Sequence, residues 1–405
     1  MAPGNPGIAR EARCLPVAAD DLPNLVAIVE REDVDLTVVG PEVPLVLGLV
    51  DALESRGRAV FGPSAAAARL EGSKAFAKDV MDWAGVPTAR SATFTRTDWA
   101  DDRGRVLAFL RDDLGGGPAV VKADGLAAGK GVVIADSAEE AAVAVQACLG
   151  AGAFGEAGSS VVIEERLEGP EVSAFALADG TDVMPLAFAQ DFKRVSDGDA
   201  GPNTGGMGAY SPLPFLDEAL AEIIWIDVLG RTAARMAEDG VPYRGVLYAG
   251  IMLTPDGPKV LEFNCRFGDP ETQVLMPRLR SEPAELFAAA ARGELGSAAV
   301  DLCPEACVTV VLASGGYPGE HRTGFEISGL EAAAEVDGAL VFHAGTADRQ
   351  GRVVTAGGRV LSVSALGGSL AEARTRAYEA ASRIAFEGMH HRSDIAAAVA
   401  GEERR

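Results

Sequence analysis

Apolar and polar positions alternate between strand and helix periods over the first quarter of the chain. The letters DLTVVG predict a strand, PLVLGLVDALESRG a helix, AVFG a second strand and AAAARLEGSKAFAKDVMDWAG a second helix. Strands that alternate with helical periods are typical of a parallel α/β unit. The turn GPEVP follows the first strand, at the end where open α/β sheets bind ligands.

The pattern becomes rich in strands from about residue 86. The predicted strands are ARSATF, AVVKAD, GVVIAD, SVVIEERL, EVSAFAL and DVMPLAFAQ, and SAEEAAVAVQACLG among them is a predicted helix. A long helix is predicted over residues 216–238, followed by strands GVLYAGIML and KVLEFNC around the turn TPDG. A smaller region from about residue 298 combines the strand CVTVVLASGG, hairpins around GRVVTAGGRVLSVSAL and a closing helix.

The charge of the chain excludes some partners. Its 36 basic and 59 acidic side chains give a net charge of −23. Such a surface repels nucleic acid and anionic membranes, so neither is an expected partner. The start MAPGNPGIAR has no apolar signal-peptide core, and the five cysteines form no CxxC pair. We therefore expect a cytoplasmic protein with reduced thiols.

Lysine is scarce enough to be informative. An acidic protein repels phosphorylated ligands, so a phosphate site must be locally basic, and a lysine ammonium group is a compact charge suited to a tight site. Most basic residues are arginine, and the lysines are Lys74, Lys78, Lys122, Lys130, Lys193 and Lys259.

The segment VVKADGLAAGKGVVIA, residues 120–135, predicts a glycine-rich hairpin. It lacks the Ser or Thr that follows the lysine of a Walker A motif, and a strand rather than a helix comes after it. A hairpin of this kind can fold as a flap over phosphates and offer them backbone N–H groups. Lys122, on the strand that enters the flap, would reach the nucleotide from its base.

Two polar segments farther along carry chemistry of their own. In KVLEFNCRFGDPE, Glu262 and Asn264 point the same way because side chains alternate along a strand, and Arg266 continues that face. A carboxylate beside a carboxamide oxygen suits Mg²⁺. The segment DFKRVSDGDAGPNTGGMGAYSP places two positive charges before a pliable loop, which suits an acceptor substrate that the loop closes over.

Together, KADGLAAGKGV, EERLEGPEVS, DFKRVSDGDAGPNTGGMGAYSP and LEFNCRFGDPETQ resemble the motifs of glycinamide ribonucleotide synthetases (phosphoribosylamine–glycine ligases) of the ATP-grasp superfamily. The resemblance runs from APGNPG to GMHHRSDI, essentially the whole chain. It implies an α/β and α+β protein with three regions. These are an incomplete N-terminal parallel α/β (pre-ATP-grasp) domain at 1–73, a two-subdomain ATP-grasp fold at 74–295 with its flap subdomain at about 88–170, and a small β-rich C-terminal domain at 296–405.

The resemblance also implies a reaction. ATP would phosphorylate the glycine carboxylate, and the amine of 5-phosphoribosylamine would attack the acyl phosphate, in purine biosynthesis. The implied partners are these small molecules and Mg²⁺ or Mn²⁺, with a monomeric enzyme.

Residue roles follow from the same resemblance. The residues implied to bind ATP are Lys74 and Lys122 at the phosphates, Gly129, Lys130 and Gly131 over them, Glu164, Glu165 and Leu167 at the adenine, and Glu171 at the ribose. Those implied to bind the other substrates are Glu42, Asp191, Lys193 and Arg194. Glu262 and Asn264 would hold the metal, while Arg266 and Lys193 would act in catalysis.

The chain also departs from the family pattern. The usual first strand and GxGGREHAL-like turn, which help to bind the phosphoribosylamine phosphate, are missing, and we favour a native start upstream because every later motif is intact. Phe192 replaces a usual histidine, and Pro170 replaces a second glutamate. Two alternatives stay open: another ATP-grasp carboxylate–amine ligase, and an ATP-binding module inactivated by the missing segment.

Overall fold

The computed structural model describes residues 1–126, 131–151 and 155–402. Gly129 and Lys130, predicted to cover the phosphates, lie outside the described residues. In the N-terminal region the elements are α1 (Ile8–Glu11), α2 (Leu22–Arg31), β1 (Thr37–Val38), α3 (Glu42–Val46), α4 (Leu49–Glu54), β2 (Val60–Phe61), α5 (Ala65–Gly72) and α6 (Lys74–Ala84). Strands β1 and β2 pair in parallel, which confirms the parallel α/β prediction.

Both long helices predicted in this region are wrong as continuous helices. Gly48 separates α3 from α4 with φ of 86°, a left-handed conformation that glycine adopts without strain. Ser73 separates α5 from α6 in an extended conformation, and its hydroxyl accepts the Phe76 N–H as an N-cap. This second break starts α6 at Lys74 and places that lysine in the first turn of the helix.

A separate four-stranded antiparallel sheet forms the flap subdomain. Its elements are β3 (Ser91–Thr95), α7 (Arg96–Asp101), α8 (Arg103–Ala108), β4 (Ala119–Ala123), β5 (Val132–Ala135), α9 (Ala138–Val145) and β6 (Ser160–Glu165), with strand order β3-β6-β4-β5. Strand β4 pairs with β5 from Ala119↔Ala135 to Lys122↔Val132, so the predicted hairpin is confirmed. Its small core, around Phe94 and Val121, is distinct from the main core.

An eight-stranded sheet runs through the rest of the molecule. The central region of the chain contains β7 (Glu171–Asp179), β8 (Val183–Asp191), β9 (Arg194–Ser196), β10 (Ala200–Asn203), β11 (Gly208–Ser211), α10 (Glu218–Ile223), α11 (Arg231–Glu238), β12 (Arg244–Thr254), β13 (Gly257–Asn264), α12 (Thr272–Leu275) and α13 (Pro283–Arg292), of which β9 and β10 pair with each other outside the large sheet. The C-terminal region adds β14 (Ala306–Ala313), α14 (Leu330–Ala334), β15 (Ala339–His343), β16 (Thr346–Arg349), β17 (Arg352–Thr355), β18 (Arg359–Gly367), α15 (Leu370–Arg383) and α16 (Ala397–Glu402).

The strand order β13-β12-β7-β8-β11-β14-β18-β15 joins the central and C-terminal regions in one sheet. Strand β11 is the link, since it pairs with β8 on one side and with β14 on the other. A π-helical turn, Ile224–Gly230, joins α10 to α11, so the long helix predicted over 216–238 is present with slightly shorter bounds. The sequence pattern did not predict α13 or the hairpin of β9 and β10.

A bulge in β13 decides which of its side chains leave the core. Gly250 of β12 pairs with Glu262 and Ile251 pairs with Val260, so Leu261 is an extra residue without a partner. Val260 and Phe263 are both in the main core. A regular period of two would put Glu262 and Asn264 on the same face as Val260; the extra residue turns them to the opposite face.

Among the helices of the described ranges, none combines the length and apolar character required to cross a bilayer.

Candidate functional site

A cavity of about 790 Å³ lies between the flap sheet and the large sheet. Strand residues Tyr248, Glu262 and Asn264 line it from the large sheet, and Lys122 and Glu164 line it from the flap. The remaining walls come from the turn at residues 40–42, from α5 and α6, from the segment that follows β8, and from C-terminal loops. Every region of the fold thus contributes to one cavity.

Four of the five described lysines line this cavity: Lys74, Lys78, Lys122 and Lys193. Glu164 is 2 % exposed and bridges two of them, with its carboxylate oxygens 3.0 Å from Lys78 Nζ and 2.8 Å from Lys122 Nζ. Lys122 Nζ also donates to the Leu261 carbonyl at 2.9 Å, next to the bulge. A single buried carboxylate therefore supports two ammonium groups that face the cavity.

The pKa values of two of these lysines are lowered. Burial lowers the pKa of Lys74, and the nearby Lys122 acts in the same direction while Glu262 opposes it. Burial also lowers the pKa of Lys78, although Glu164 opposes the change. Lysines that are only partly compensated attract an anion such as a phosphate, because the anion restores the balance of charge.

Glu262 faces this positive cluster. Burial favours its neutral form, but Lys193, Lys122 and Lys74 outweigh burial, and the pKa of Glu262 is lowered. Asn264, on the same side of β13, is 8 % exposed, and its Oδ1 accepts a hydrogen bond from Arg266 Nη2 at 3.2 Å. An ionised carboxylate and an amide oxygen thus lie side by side, as the sequence pattern predicted.

Arg266 is held by acidic groups of the N-terminal region. Its Nη2 lies 3.1 Å from Glu71 Oε1, and its Nε lies 3.5 Å from Glu42 Oε2. Burial raises the pKa of Glu71, although Arg266 opposes the shift. Burial would lower the pKa of Arg266, but Glu71 and Glu42 outweigh it and raise that pKa. The guanidinium group stays charged in the cavity wall.

Asp191 and Lys193 form another part of the cavity wall. Burial raises the pKa of Asp191 to about 8, with Lys193 opposing the shift and Glu271 and Glu171 adding to it. Burial would lower the pKa of Lys193, but Asp191 and Glu171 outweigh it, and the pKa is raised well above its usual value. The Lys193 ammonium group contacts the Glu171 carboxylate and keeps a side chain that is 35 % exposed.

A hydrogen-bonded cluster forms the floor of the cavity. Glu271 is 3 % exposed, and its Oε1 accepts from the Tyr248 hydroxyl at 2.7 Å and from Ser173 Oγ at 3.3 Å. Burial raises the pKa of Tyr248 well above its usual value, and Glu271 adds to the shift. The tyrosine therefore stays a neutral donor that fixes the carboxylate.

The structure brings most, but not all, of the predicted site residues together. Those in the cavity walls are Glu42, Lys74, Lys122, Gly131, Glu164, Asp191, Lys193, Glu262, Asn264 and Arg266. Those outside the walls are Glu165, Leu167, Glu171 and Arg194. Glu171 touches the site through Lys193, whereas Arg194 Nη1 donates to the Gly201 carbonyl at 2.8 Å within its own hairpin. The adenine and ribose roles of the segment from Glu164 to Glu171 stay predictions.

Several lining residues were not predicted. Lys78 follows Lys74 by four residues, so the two share one face of α6, and this spacing was a usable signal. Glu71 and Glu271 gave no local signal, because only the packing of α5 and of the segment after β13 brings them to the cavity. Tyr317 also enters from a loop of the C-terminal region, and Arg359 enters from the start of β18.

Comparisons with known proteins agree along the whole chain. Family models described as the N domain, the ATP-grasp (A) domain and the C domain of phosphoribosylglycinamide synthetase match residues 1–71, 72–272 and 307–398. A phosphoribosylamine–glycine ligase of Vibrio vulnificus (strain CMCP6) is 50% identical over 409 residues, covering 100% of this chain and 93% of the relative. One from Streptomyces coelicolor is 53% identical over 407 residues, covering 99% of this chain and 92% of the relative.

Solved structures support the same relationship. The crystal structure of phosphoribosylamine–glycine ligase from Thermotoga maritima matches with a TM-score of 0.76 and 36% identity, over 97% of this chain and 92% of that one. A biotin carboxylase from Campylobacter jejuni in complex with β,γ-ATP matches with a TM-score of 0.70 and 16% identity, over 92% of this chain and 79% of that one. The second match bears on the fold alone.

Proposed function

The chain belongs to the phosphoribosylglycinamide synthetase family, and we propose that it joins glycine to 5-phosphoribosylamine with ATP, giving glycinamide ribonucleotide, ADP and phosphate in purine biosynthesis. The observation that carries this proposal is the shared cavity in which a four-lysine cluster faces Glu262 and Asn264. Full-length relatives that carry the name phosphoribosylamine–glycine ligase support the same reaction.

We assign the phosphates of ATP to the lysine side of the cavity. Lys74, Lys78 and Lys122 approach from α6 and from the flap, and Glu164 holds two of them in place. Phosphoryl transfer depends mainly on positioning and on stabilising negative charge, which these cations supply. The flap lies over the site, so its closure would exclude water, which matters because an acyl phosphate hydrolyses readily.

The residues present suit a divalent metal ion. The candidate ligands are the carboxylate of Glu262 and the amide oxygen of Asn264, which lie side by side in the cavity wall. In the described part of the chain no group of three or more His, Cys, Asp and Glu could hold a metal ion. Two hard oxygen donors beside a phosphate site are the usual protein share for Mg²⁺, which takes its other ligands from phosphate and water. We propose Mg²⁺ or Mn²⁺ there; when bound, it would neutralise phosphate charge.

We assign the acceptor substrates to the part of the cavity that Asp191 and Lys193 line. Lys193 would orient the glycine carboxylate toward the terminal phosphate, and Arg266 would stabilise charge on the transferring phosphoryl group. We assign Asp191 to the same substrate-binding set, because it lines the cavity and interacts with the charge of Lys193. Glu42 and Arg194 complete the predicted acceptor set.

We further propose that the enzyme acts in the cytoplasm as a monomer. Its five cysteines are free thiols, which fits a reducing compartment. The molar mass of the purified chain in solution, measured by light scattering, tests the proposed monomeric state.

The test of function is ADP release with ATP, Mg²⁺, glycine and 5-phosphoribosylamine, omitting each in turn. We expect ADP only when all are present, and formation of glycinamide ribonucleotide in equal amount. Another ATP-grasp ligase would release ADP with a different amine, and an inactive module would bind ATP without releasing ADP.

Glu262→Ala tests the metal assignment. We expect metal-dependent turnover to be lost, while ATP binding weakens less because the lysines remain. Glu238→Ala removes the same charge from the solvent-facing side of α11, where the Glu238 side chain is 71% exposed, and should leave turnover unchanged. Normal turnover in Glu262→Ala across a metal titration would sink the assignment.

A further inference from the structure

Arg392 is a buried cation that the proposed reaction does not use. Its side chain is 1 % exposed, and it is not among the residues that line the cavity. Burying a guanidinium group is costly unless it is paired and hydrogen-bonded on most sides. The groups that pair with the buried charge of Arg392 therefore indicate which part of the structure this arginine stabilises.

These partners lie on both sides of Lys193 in the sequence. The guanidinium carbon of Arg392 stands 4.9 Å from the centre of the Phe192 ring. Its Nη1 donates to the Arg194 carbonyl at 3.1 Å and to Asp199 Oδ1 at 2.7 Å. Its Nε and Nη2 bind the two carboxylate oxygens of Asp394 at 2.7 Å each.

Lys193 lies at the base of the hairpin formed by β9 and β10. Its carbonyl accepts the Thr204 N–H at 2.7 Å, which closes the base of the hairpin. At the other end the C-terminal segment holds the turn. Ser393 N–H donates to Asp197 Oδ1 at 2.8 Å, and Gly198 N–H donates to Asp394 Oδ2 at 2.8 Å.

The segment 390–394 is itself anchored to the C-terminal region. His390 exchanges backbone hydrogen bonds with Ala313 of β14, and its Nε2 lies 2.8 Å from the Val195 carbonyl oxygen. The Tyr378 hydroxyl on α15 donates to the Arg392 carbonyl at 2.8 Å. The segment 390–394 therefore links the hairpin to β14 and α15.

We propose that Arg392 is a positioning residue for the acceptor side of the reaction, and that through it the C-terminal region sets the place of Lys193 in the cavity. This inference rests on the function proposed above. The ammonium group of a lysine sits at the end of a flexible four-carbon chain. The region that it can reach is therefore set by where the backbone of Lys193 is held. Arg392 contacts the Phe192 ring on one side of Lys193 and the Arg194 carbonyl on the other, without touching a substrate.

Phe192 gains a role in the same arrangement. It stands where the related enzymes usually have histidine, and here its ring provides the face on which the guanidinium group lies. A cation over an aromatic face is attracted by the electron-rich ring. The Phe192 ring is therefore one of the groups that hold Arg392 in place.

The test is steady-state kinetics of the full chain carrying Arg392→Met or Arg392→Lys. We expect kcat/KM for glycine and 5-phosphoribosylamine to fall by about tenfold to a hundredfold in Arg392→Met, the scale of a misplaced contact group. The KM for ATP should stay within about twofold, since Lys74 and Lys122 are held elsewhere. Arg392→Lys should recover only part of the loss, because an ammonium group lacks the planar fork.

Arg374→Met is the matched control. Arg374 holds the same C-terminal segment, donating to the Ile395 carbonyl at 2.9 Å and to the Ser393 carbonyl at 2.6 Å, and it makes no hydrogen bond to the hairpin. A merely structural role for Arg392 would give both methionine variants the same kinetic profile, with equal losses for ATP and the acceptors. That result would overturn the proposal.

Two further measurements keep the proposal testable if Arg392→Met does not fold or if wild-type turnover is absent. Asp199→Asn removes the negative charge that pairs with Arg392 on the exposed hairpin and should weaken acceptor kinetics in the same direction. Hydrogen exchange should rise at residues 192–200 in Asp199→Asn and stay unchanged at 74–84. Unchanged hydrogen exchange at residues 192–200 would contradict the positioning role of Arg392. Absent turnover in the wild type would contradict only the proposed function.

Discussion

Burial raises the pKa of Asp191 in the cavity, and this change has a definite effect on stability. Its pKa is about 8 in the folded chain, against about 3.9 for an unperturbed aspartate. Between those values the folded state binds more protons at Asp191 than the unfolded state, so its contribution to stability falls as the pH rises from about 4 to about 8.

We therefore expect Asp191→Asn to become more stable relative to the wild type as the pH rises through this window. The measurement is the free energy of unfolding in urea for both proteins at several pH values between about 4 and 9. Asp217→Asn, at the exposed N-cap of α10, removes the same charge outside the cavity and serves as the control variant. A constant difference for Asp191→Asn would show that its ionisation is unaltered by folding.

Single residues also show where local sequence reasoning ends. Glu164 was predicted from its place in the acidic segment EERL as part of an adenine-binding segment. In the fold its carboxylate is turned into the protein and bound by Lys78 and Lys122. The sequence shows a run of acidic residues on a strand; which of them is buried depends on the elements that pack on each face.

At the level of elements, the Glu164 carboxylate joins one helix and two strands. Glu164 on β6 binds Lys78 of α6 and Lys122 of β4, and all three side chains are nearly buried. Replacing it with alanine would leave two buried ammonium groups without their counter-ion. Removing one partner of a buried ion pair typically costs about 3–5 kcal/mol.

We expect Glu164→Ala to lower the free energy of unfolding by about that amount and to weaken ATP binding. Glu326→Ala is the control, because it breaks a pair with Arg352 whose side chains are 56% and 69% exposed, and such surface pairs contribute about 0–1 kcal/mol. Urea unfolding of the three proteins measures the difference. Equal losses in both variants would mean that the bridge adds nothing beyond a surface pair.

The bulge at Leu261 is the element-level feature that the sequence pattern could not place. The relation between Glu262 and Asn264 was predicted correctly, because any strand puts residues two apart on one side. The sequence pattern did not predict whether Glu262 and Asn264 face the core or the cavity. The extra residue reverses the alternation after Val260, and it is visible only in the pairing with Gly250 and Ile251.

For the molecule as a whole, the continuous sheet has a consequence for unfolding. Strands of the ATP-grasp and C-terminal regions share one hydrogen-bonded ladder, in which β11 pairs with β8 and with β14. The flap has its own sheet and its own core. Regions that share a ladder and a core open together, whereas a separate small core can open alone.

We predict that native-state hydrogen exchange gives β7, β12, β14 and β18 the same free energy of opening. Strands β3 to β6 of the flap should open at a lower free energy, and ATP should raise it because the flap contributes to the site. Exchange of β14 and β18 at a lower free energy than β7 and β12 would contradict a single cooperative unit.

The sequence by itself determined most of the element types, the flap hairpin, the common side of Glu262 and Asn264, and the lysines as the informative cations. These depend on periods of two and 3.6 residues, on glycine-rich turns and on side-chain chemistry, all of which are local. Only the tertiary structure decided that Glu71, Glu271 and Arg359 reach the cavity, that Glu164 bridges two lysines, and that Arg392 holds the hairpin beside Lys193. These contacts join residues far apart in the chain, and such pairings are set by how the sheets and helices pack.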